Sequence, residues 1–183
     1  MASGYSRRMG GQDKLMLPIA KKPMIAHVLD QLIEAACFYE ILLVARRRAV
    51  MAEGEKRGVT VIQNPAAHQG MSASIREGLQ KAEGDCYMFL PGDQPFLKAK
   101  HLRMLCQKAN QDQIICPRYK NTPSSPCIFP KKFREQLLSL RGEEGGKRIM
   151  QSCQSAVLYV DIEEEKALLD LDDPAQFQGA KPS

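Results

Sequence analysis

Short, unbroken apolar runs recur along this 183-residue chain, and stretches with helical spacing separate them. Val59-Thr60-Val61-Ile62 reads as one strand, while Ile41-Leu42-Leu43-Val44-Ala45 and Cys86-Tyr87-Met88-Phe89-Leu90 lack the polar alternation of a half-exposed strand. Such runs mark strands buried on both faces, as in parallel sheets. Ahead of them, Pro23 to Ala36 carries Ile25, Val28, Leu29, Leu32, Ile33 and Ala36 at helical spacing, with Pro23 suited to a first turn. Arg46 to Arg57 is helical in propensity and ends at Gly58; Met71 to Ala82 and Lys98 to Asn110 read as two further helices. Ile114 to Cys116 is the next strand. Pro117 to Pro126, with three prolines, reads as loop, and Cys127 to Phe129 as a short strand. A helix carrying Phe133, Leu137 and Leu138 follows Pro130, Glu143 to Cys153 reads as helix, and Val157 to Val160 as a late strand. This alternation predicts an α/β fold of three layers, a mixed, mostly parallel sheet covered on both faces. No repeat or linker divides the chain, so residues 1–183 read as one domain, a length that supports a proper core.

Parallel sheets bind ligands beyond the carboxyl ends of their strands, which directs attention to particular loops. The first is Ala2-Ser3-Gly4-Tyr5-Ser6-Arg7-Arg8-Met9-Gly10-Gly11-Gln12-Asp13-Lys14-Leu15. Glycines let backbone N–H groups approach a ligand and form an anion-binding concavity, while Arg7, Arg8 and Lys14 add charge suited to phosphate oxygens. The spacing is neither the Walker loop nor the Rossmann fingerprint. The loop reads as a polyphosphate cradle, against the alternative of a solvated basic loop. After Val59–Ile62 come Asn64, then Gly70 and Ser72 at the start of a helix. Ser72 is placed to cap that helix, whose free N–H groups and dipole also suit phosphate. After Cys86–Leu90 comes Asp93, stiffened between Pro91 and Pro95 and placed to hold Mg²⁺, which takes one or two carboxylates plus substrate phosphates. Asp170 and Asp172 alternate around Leu171, and either offers a second carboxylate.

Other classes fit less well. No apolar run approaches a membrane span, and no secretory signal opens the chain, so the expected location is the cytoplasm without a membrane partner. Six scattered cysteines include no Cys-x-x-Cys pair, and Cys86 and Cys116 read as small core residues. The net charge of +5 is spread along the chain, which fits a nucleotide rather than a nucleic acid. The three histidines show no arrangement with Ser, Cys or Asp that would make a nucleophile.

Taken in order, ASGYSRRMGGQDKLMLP, KKPMI, NPAAHQGMSASIREGL, LPGDQPF and LDLDDPAQF resemble the nucleotidyltransferases that modify molybdopterin, over nearly the whole chain. GMSAS and LPGDQPF are most similar to the cytidylyl branch; the guanylyl branch is the near relative. The resemblance implies a Rossmann-like nucleotidyltransferase fold of the nucleotide-diphospho-sugar transferase type. It implies attack by the terminal phosphate of molybdopterin on the α-phosphate of CTP, with loss of pyrophosphate and a requirement for Mg²⁺. It places Ala2, Ser3 and Gly4 near the base and ribose, Arg8 on the β/γ-phosphates, Lys14 on the α-phosphate, and Asn64, Gly70 and Ser72 on the nucleotide. Asp93 and Asp172 become the metal ligands, and a recipient molybdoenzyme becomes a further partner.

Three departures stand beside the resemblance. The family's first loop follows a buried strand, but Met1 stands where that strand's last leucine belongs. The reading therefore predicts an apolar strand of about five residues upstream. Without it, two neighbouring strands would expose ladder groups inside the domain, or another segment would fill the gap. Ser124-Ser125-Pro126 replaces a Gly-x-Pro on the acceptor side. Asp13 before Lys14 matches the guanylyl branch. Transfer from GTP, transfer to a sugar phosphate, and nucleotide binding without turnover remain the alternatives.

Overall fold

The computed structural model describes residues 1–2 and 13–172. A hairpin of β1 (Pro18–Ile19) and β2 (Lys22–Pro23) leads into α1 (Met24–Ala35). Then β3 (Leu42–Ala45), α2 (Arg48–Glu55) and β4 (Thr60–Gln63) form a right-length β-α-β unit whose strands pair in parallel. After α3 (Met71–Lys81), β5 (Cys86–Phe89) and α4 (Ala99–Lys108) come β6 (Ile114–Tyr119), β7 (Thr122–Pro123) and β8 (Cys127–Pro130). The chain continues through α5 (Arg134–Ser139) and α6 (Gly146–Ser152) to β9 (Val157–Asp161). β8 lies between β5 and β6, antiparallel to both, and β9 extends the sheet parallel to β6.

Alternation within the strands explains their unbroken apolar runs. Ile114 and Cys116 of β6, Tyr87 and Phe89 of β5, and Cys127 and Phe129 of β8 share a cluster with Ile75 and Leu79 of α3, Leu137 of α5 and Ile149 of α6. Ile115, Ile128, Cys86 and Met88 face the other way, toward Leu102 and Leu105 of α4. Successive residues point to opposite faces and both faces are covered, which produces the three layers. Phe129 anchors one layer, edge-on to Phe89 at 5.9 Å between ring centroids and 1% exposed. Burying such a side chain contributes about 1.5–3 kcal/mol.

Between β3 and β5 the sheet is held together by Met1 and Ala2. Ala2 N–H donates to the Val44 carbonyl (2.9 Å) and bridges Ala45 in parallel. The Met1 amino group donates to the Leu90 carbonyl (2.6 Å), and the Met1 carbonyl accepts from Gly92 N–H (3.0 Å). That pattern is a parallel ladder across Pro91, so β3, β4, β5, β6 and β9 all run one way and β8 opposes them. Alongside the rest of β3 and β5 lies a cavity of about 330 Å³, lined by Leu43, Val44, Tyr87, Phe89, Leu29 and Leu79 among others.

Some local expectations need correction. The stretch from Pro117 is not all loop: β6 continues to Tyr119 because Pro117 and Arg118 still pair with Val160 and Asp161 of β9. Pro117 lacks only its own N–H, and its carbonyl accepts from Ser124 N–H at 2.9 Å. The helix expected from Glu143 begins at Gly146, after the Gly145 N-cap. The β1–β2 hairpin was not anticipated. Its two turn residues, Ala20 (φ 48°) and Lys21 (φ 69°), carry the positive φ pair of a type I′ turn without the glycine or asparagine that usually announces one.

Candidate active site

The segments that leave the carboxyl ends of β4 and β5 carry Asn64, Gly70 and Asp93, while Lys14 comes from ahead of β1 and Asp172 from beyond β9. After β5 the chain reaches Asp93, with its carbonyl accepting from Leu171 N–H at 3.0 Å. That backbone bond ties the late segment to the β5 loop and sets Asp172 beside Asp93. Lys14 opens a short turn, Lys14–Met16, fixed by Asp13, whose carboxylate accepts from Leu15 N–H at 3.1 Å. Arg47, at the start of α2, lies 3.4 Å from the other Asp13 oxygen. The result is a single constellation: Lys14 Nζ donates to Asp93 Oδ2 at 2.7 Å and to Asp172 Oδ1 at 2.6 Å. The second Asp93 oxygen is buried and has no hydrogen-bond partner among the described residues.

Electrostatics follow from this geometry. Burial pushes the Lys14 pKa down, but Asp93 and then Asp172 outweigh it, so the net shift is upward and the ammonium stays charged. Asp170 is shifted upward as well, which for a carboxylate favours the neutral form: burial first, then the charge of Asp93, raise its pKa, while a hydrogen bond from Gln94 opposes them. Two carboxylates converging on one cation make a donor set of hard oxygens. That is the chemistry Mg²⁺ or Mn²⁺ selects, so Asp93 and Asp172 fit a divalent ion in the space the ammonium occupies. Among the described residues no cluster of three His, Cys, Asp or Glu side chains adds further ligands.

A second group of residues lies beyond β4. Asn64 is fully buried; its N–H donates to the Ala45 carbonyl (2.8 Å) and its side-chain Nδ2 to Ser74 Oγ (3.0 Å). Asn64 Oδ1 has no partner among the described residues. Ala45 therefore links Asn64 to Ala2 across β3. Ser72 does not cap α3. Gly70 is the N-cap residue, and the buried Ser72 hydroxyl makes no hydrogen bond among the described residues. Nor are the first amides of α3 open to an anion. Ser72 N–H donates to the Gly142 carbonyl (3.0 Å) and Met71 N–H to the Glu143 carboxylate (3.3 Å). The loop between α5 and α6 covers that helix end, and nothing near residue 70 signals it. Ser3, Gly4 and Arg8 lie outside the described residues. Lys14, Asp93 and Asp172 are thus joined directly, whereas Gly70 and Ser72 belong to the α3–Gly142 contact.

Gly70 has no substitute in this arrangement. Its φ is +93°, and a Cβ there would lie 2.5 Å from Gly142 backbone atoms. Gly70→Ala should therefore cost about 2–3 kcal/mol, combining left-handed strain with a backbone clash. The urea unfolding midpoint measures this, and an unchanged midpoint would mean that the Gly142 loop yields freely.

Residues 1–157 match the MobA-like NTP transferase domain. A molybdenum cofactor guanylyltransferase of Vibrio parahaemolyticus is 26% identical, over 97% of this chain and 90% of its own. A molybdenum cofactor cytidylyltransferase of Escherichia coli is 28% identical, over 98% and 92%. Among solved structures, a nucleotidyl transferase from Methanothermobacter superposes with a TM-score of 0.85 at 18% identity, over 97% and 92%. A Mycobacterium tuberculosis protein solved in complex with manganese gives 0.80 at 21%, over 92% and 90%. These likenesses bear out the expected fold.

Proposed function

The chain belongs to the MobA-like NTP transferase family and is a nucleotidyltransferase, and from that premise we propose that it transfers a cytidylyl group from CTP to molybdopterin. The observation that carries the reading is the convergence of Lys14, Asp93 and Asp172 at the carboxyl ends of the sheet. In this reaction a terminal phosphate oxygen of molybdopterin forms a bond to the α-phosphorus of CTP. The bond from that phosphorus to the bridging oxygen breaks, and pyrophosphate leaves. The protein needs to supply position and charge rather than covalent chemistry.

Asp93 and Asp172 would hold Mg²⁺, which when bound neutralises phosphate oxygens as charge builds on them. Lys14 would then face the α-phosphate. Asn64 is held in one orientation by Ser74, leaving its side-chain oxygen, which has no partner among the described residues, for a donor on the nucleotide. Ala2, Ser3, Gly4 and Arg8 complete the nucleotide cradle in this proposal, with Gly70 and Ser72 shaping its wall. Manganese in the Mycobacterium tuberculosis relative supports the divalent requirement. A recipient molybdoenzyme would take the finished cofactor.

Guanylyl transfer is the second reading. Asp13 before Lys14 and the Vibrio relative favour it; Gly70-Met71-Ser72-Ala73-Ser74 and the Escherichia relative favour cytidylyl transfer. Thermal stability with Mg²⁺ and each nucleotide separates them. A ligand at a hundred times its dissociation constant adds about 2.7 kcal/mol. CTP should raise the melting temperature and release pyrophosphate when molybdopterin is added. A shift with GTP alone would reassign the base, and turnover only with a sugar 1-phosphate would reassign the acceptor.

A further inference from the structure

Away from the site, two thiols meet at the opposite end of the sheet. Cys37 is exposed and follows Ala36, the left-handed residue that ends α1. Cys106 is half-buried on α4. Their sulfurs are 3.0 Å apart although 69 residues separate them in sequence. The approach is fixed by other contacts between the two helices. Ala99 N–H, at the start of α4, donates to the Gln31 side chain (2.8 Å), and Arg103 donates to the Glu34 carbonyl (3.0 Å). One thiol is open to solvent and the other is held directly behind it.

We propose that Cys37 and Cys106 form a reversible disulfide, with a low-molecular-weight disulfide such as oxidised glutathione as the oxidant. The Cys37 thiolate attacks one sulfur of oxidised glutathione; the sulfur–sulfur bond breaks and one glutathione thiolate leaves. Cys106 then loses its proton, its sulfur attacks the Cys37 sulfur of the mixed disulfide, and the second glutathione leaves as thiol. Two protein thiols are oxidised and one glutathione disulfide is reduced to two thiols, so atoms and electrons balance. The sulfurs need to close by about 1 Å to reach a normal bond length near 2.05 Å, within reach of side-chain rotation. Burial and then Cys37 raise the Cys106 pKa to about 12, which makes Cys37 the first attacker. Once Cys37 is capped, its share of that rise disappears and Cys106 becomes easier to deprotonate. Cys116 and Cys127 also adjoin each other, but both are buried and closed to the oxidant.

The link would clamp the end of α1 to α4 where both cysteines border the cavity between β3 and β5. It lies at the amino end of β3, whereas the nucleotide site lies at the carboxyl end. The test incubates the whole chain with oxidised glutathione and counts thiols after denaturation. The chain should lose two of its six thiols and two hydrogen masses, with tryptic mapping joining the Cys37 and Cys106 peptides. The melting temperature should rise by several degrees and return with dithiothreitol. Cys106→Ser should trap a glutathione adduct on Cys37, and Cys37→Ser should leave Cys106 unmodified. An unchanged thiol count, a Cys116–Cys127 link, or no adduct on Cys37 in Cys106→Ser would overturn the proposal.

Discussion

Asp93→Asn should abolish nucleotidyl transfer and leave the fold standing. The substitution keeps the size of the side chain and removes its charge. The structural role of the residue runs through its backbone, because the Asp93 carbonyl holds Leu171 and an amide side chain does not disturb that bond. The proposed functional role runs through the carboxylate. One oxygen meets Lys14 at 2.7 Å, and the other is buried without a partner among the described residues. A buried carboxylate oxygen left unpaired is costly, so its retention beside a cation fits a group waiting for a ligand. Loss of one preorganised electrostatic contact in a site of this kind typically lowers turnover by about 10²–10³-fold. Pyrophosphate release with CTP, Mg²⁺ and molybdopterin gives the rate, and far-ultraviolet circular dichroism with thermal melting checks the fold. Turnover near that of the unaltered chain would remove Asp93 from the metal site.

The features that composition announces were legible in the sequence; those set by distant contacts were not. Leu42 to Ala45 and Cys86 to Phe89 are apolar on both faces because helices cover both faces, and that burial writes itself into the residue types. Asp93 was visible because it stands just past such a strand. The pairing of Lys14 with Asp93 and Asp172 crosses 79 and 158 residues, and no local periodicity encodes it. The β1–β2 turn escaped because Ala20 and Lys21 adopt positive φ without the usual residue types. Ser72 looked like a helix cap from its position alone. The Gly142–Glu143 loop takes the first amides of α3 instead, a choice made some seventy residues away. β3 and β5 flank a cavity beyond the bonds made by Met1 and Ala2, a feature that no local pattern in either strand encodes.

The family resemblance implies that Lys14 lies on the α-phosphate, and the structure places it between two carboxylates. Under the proposed function the two positions would be two states of one site. Without nucleotide, the ammonium neutralises Asp93 and Asp172, and its raised pKa keeps it charged there. On the proposed function, a divalent ion and Lys14 would compete for the same oxygens until a phosphate offers the ammonium another partner. Lys14→Met retains the length of the side chain and removes the charge, so it should move two measurements in opposite directions. In the absence of nucleotide, Mn²⁺ should bind about tenfold more tightly, a gain of about 1.4 kcal/mol. The gain is modest because the Asp172 side chain is 60% exposed and solvent screens that half of the pair. With all substrates present, turnover should fall by about a hundredfold or more, because a cation on the α-phosphate acts where charge accumulates in the transition state. Calorimetric Mn²⁺ titration reads the first effect, and kcat against KM for CTP reads the second. A raised KM with unchanged kcat would make Lys14 a clamp on bound nucleotide only, and unchanged Mn²⁺ affinity would end the competition argument.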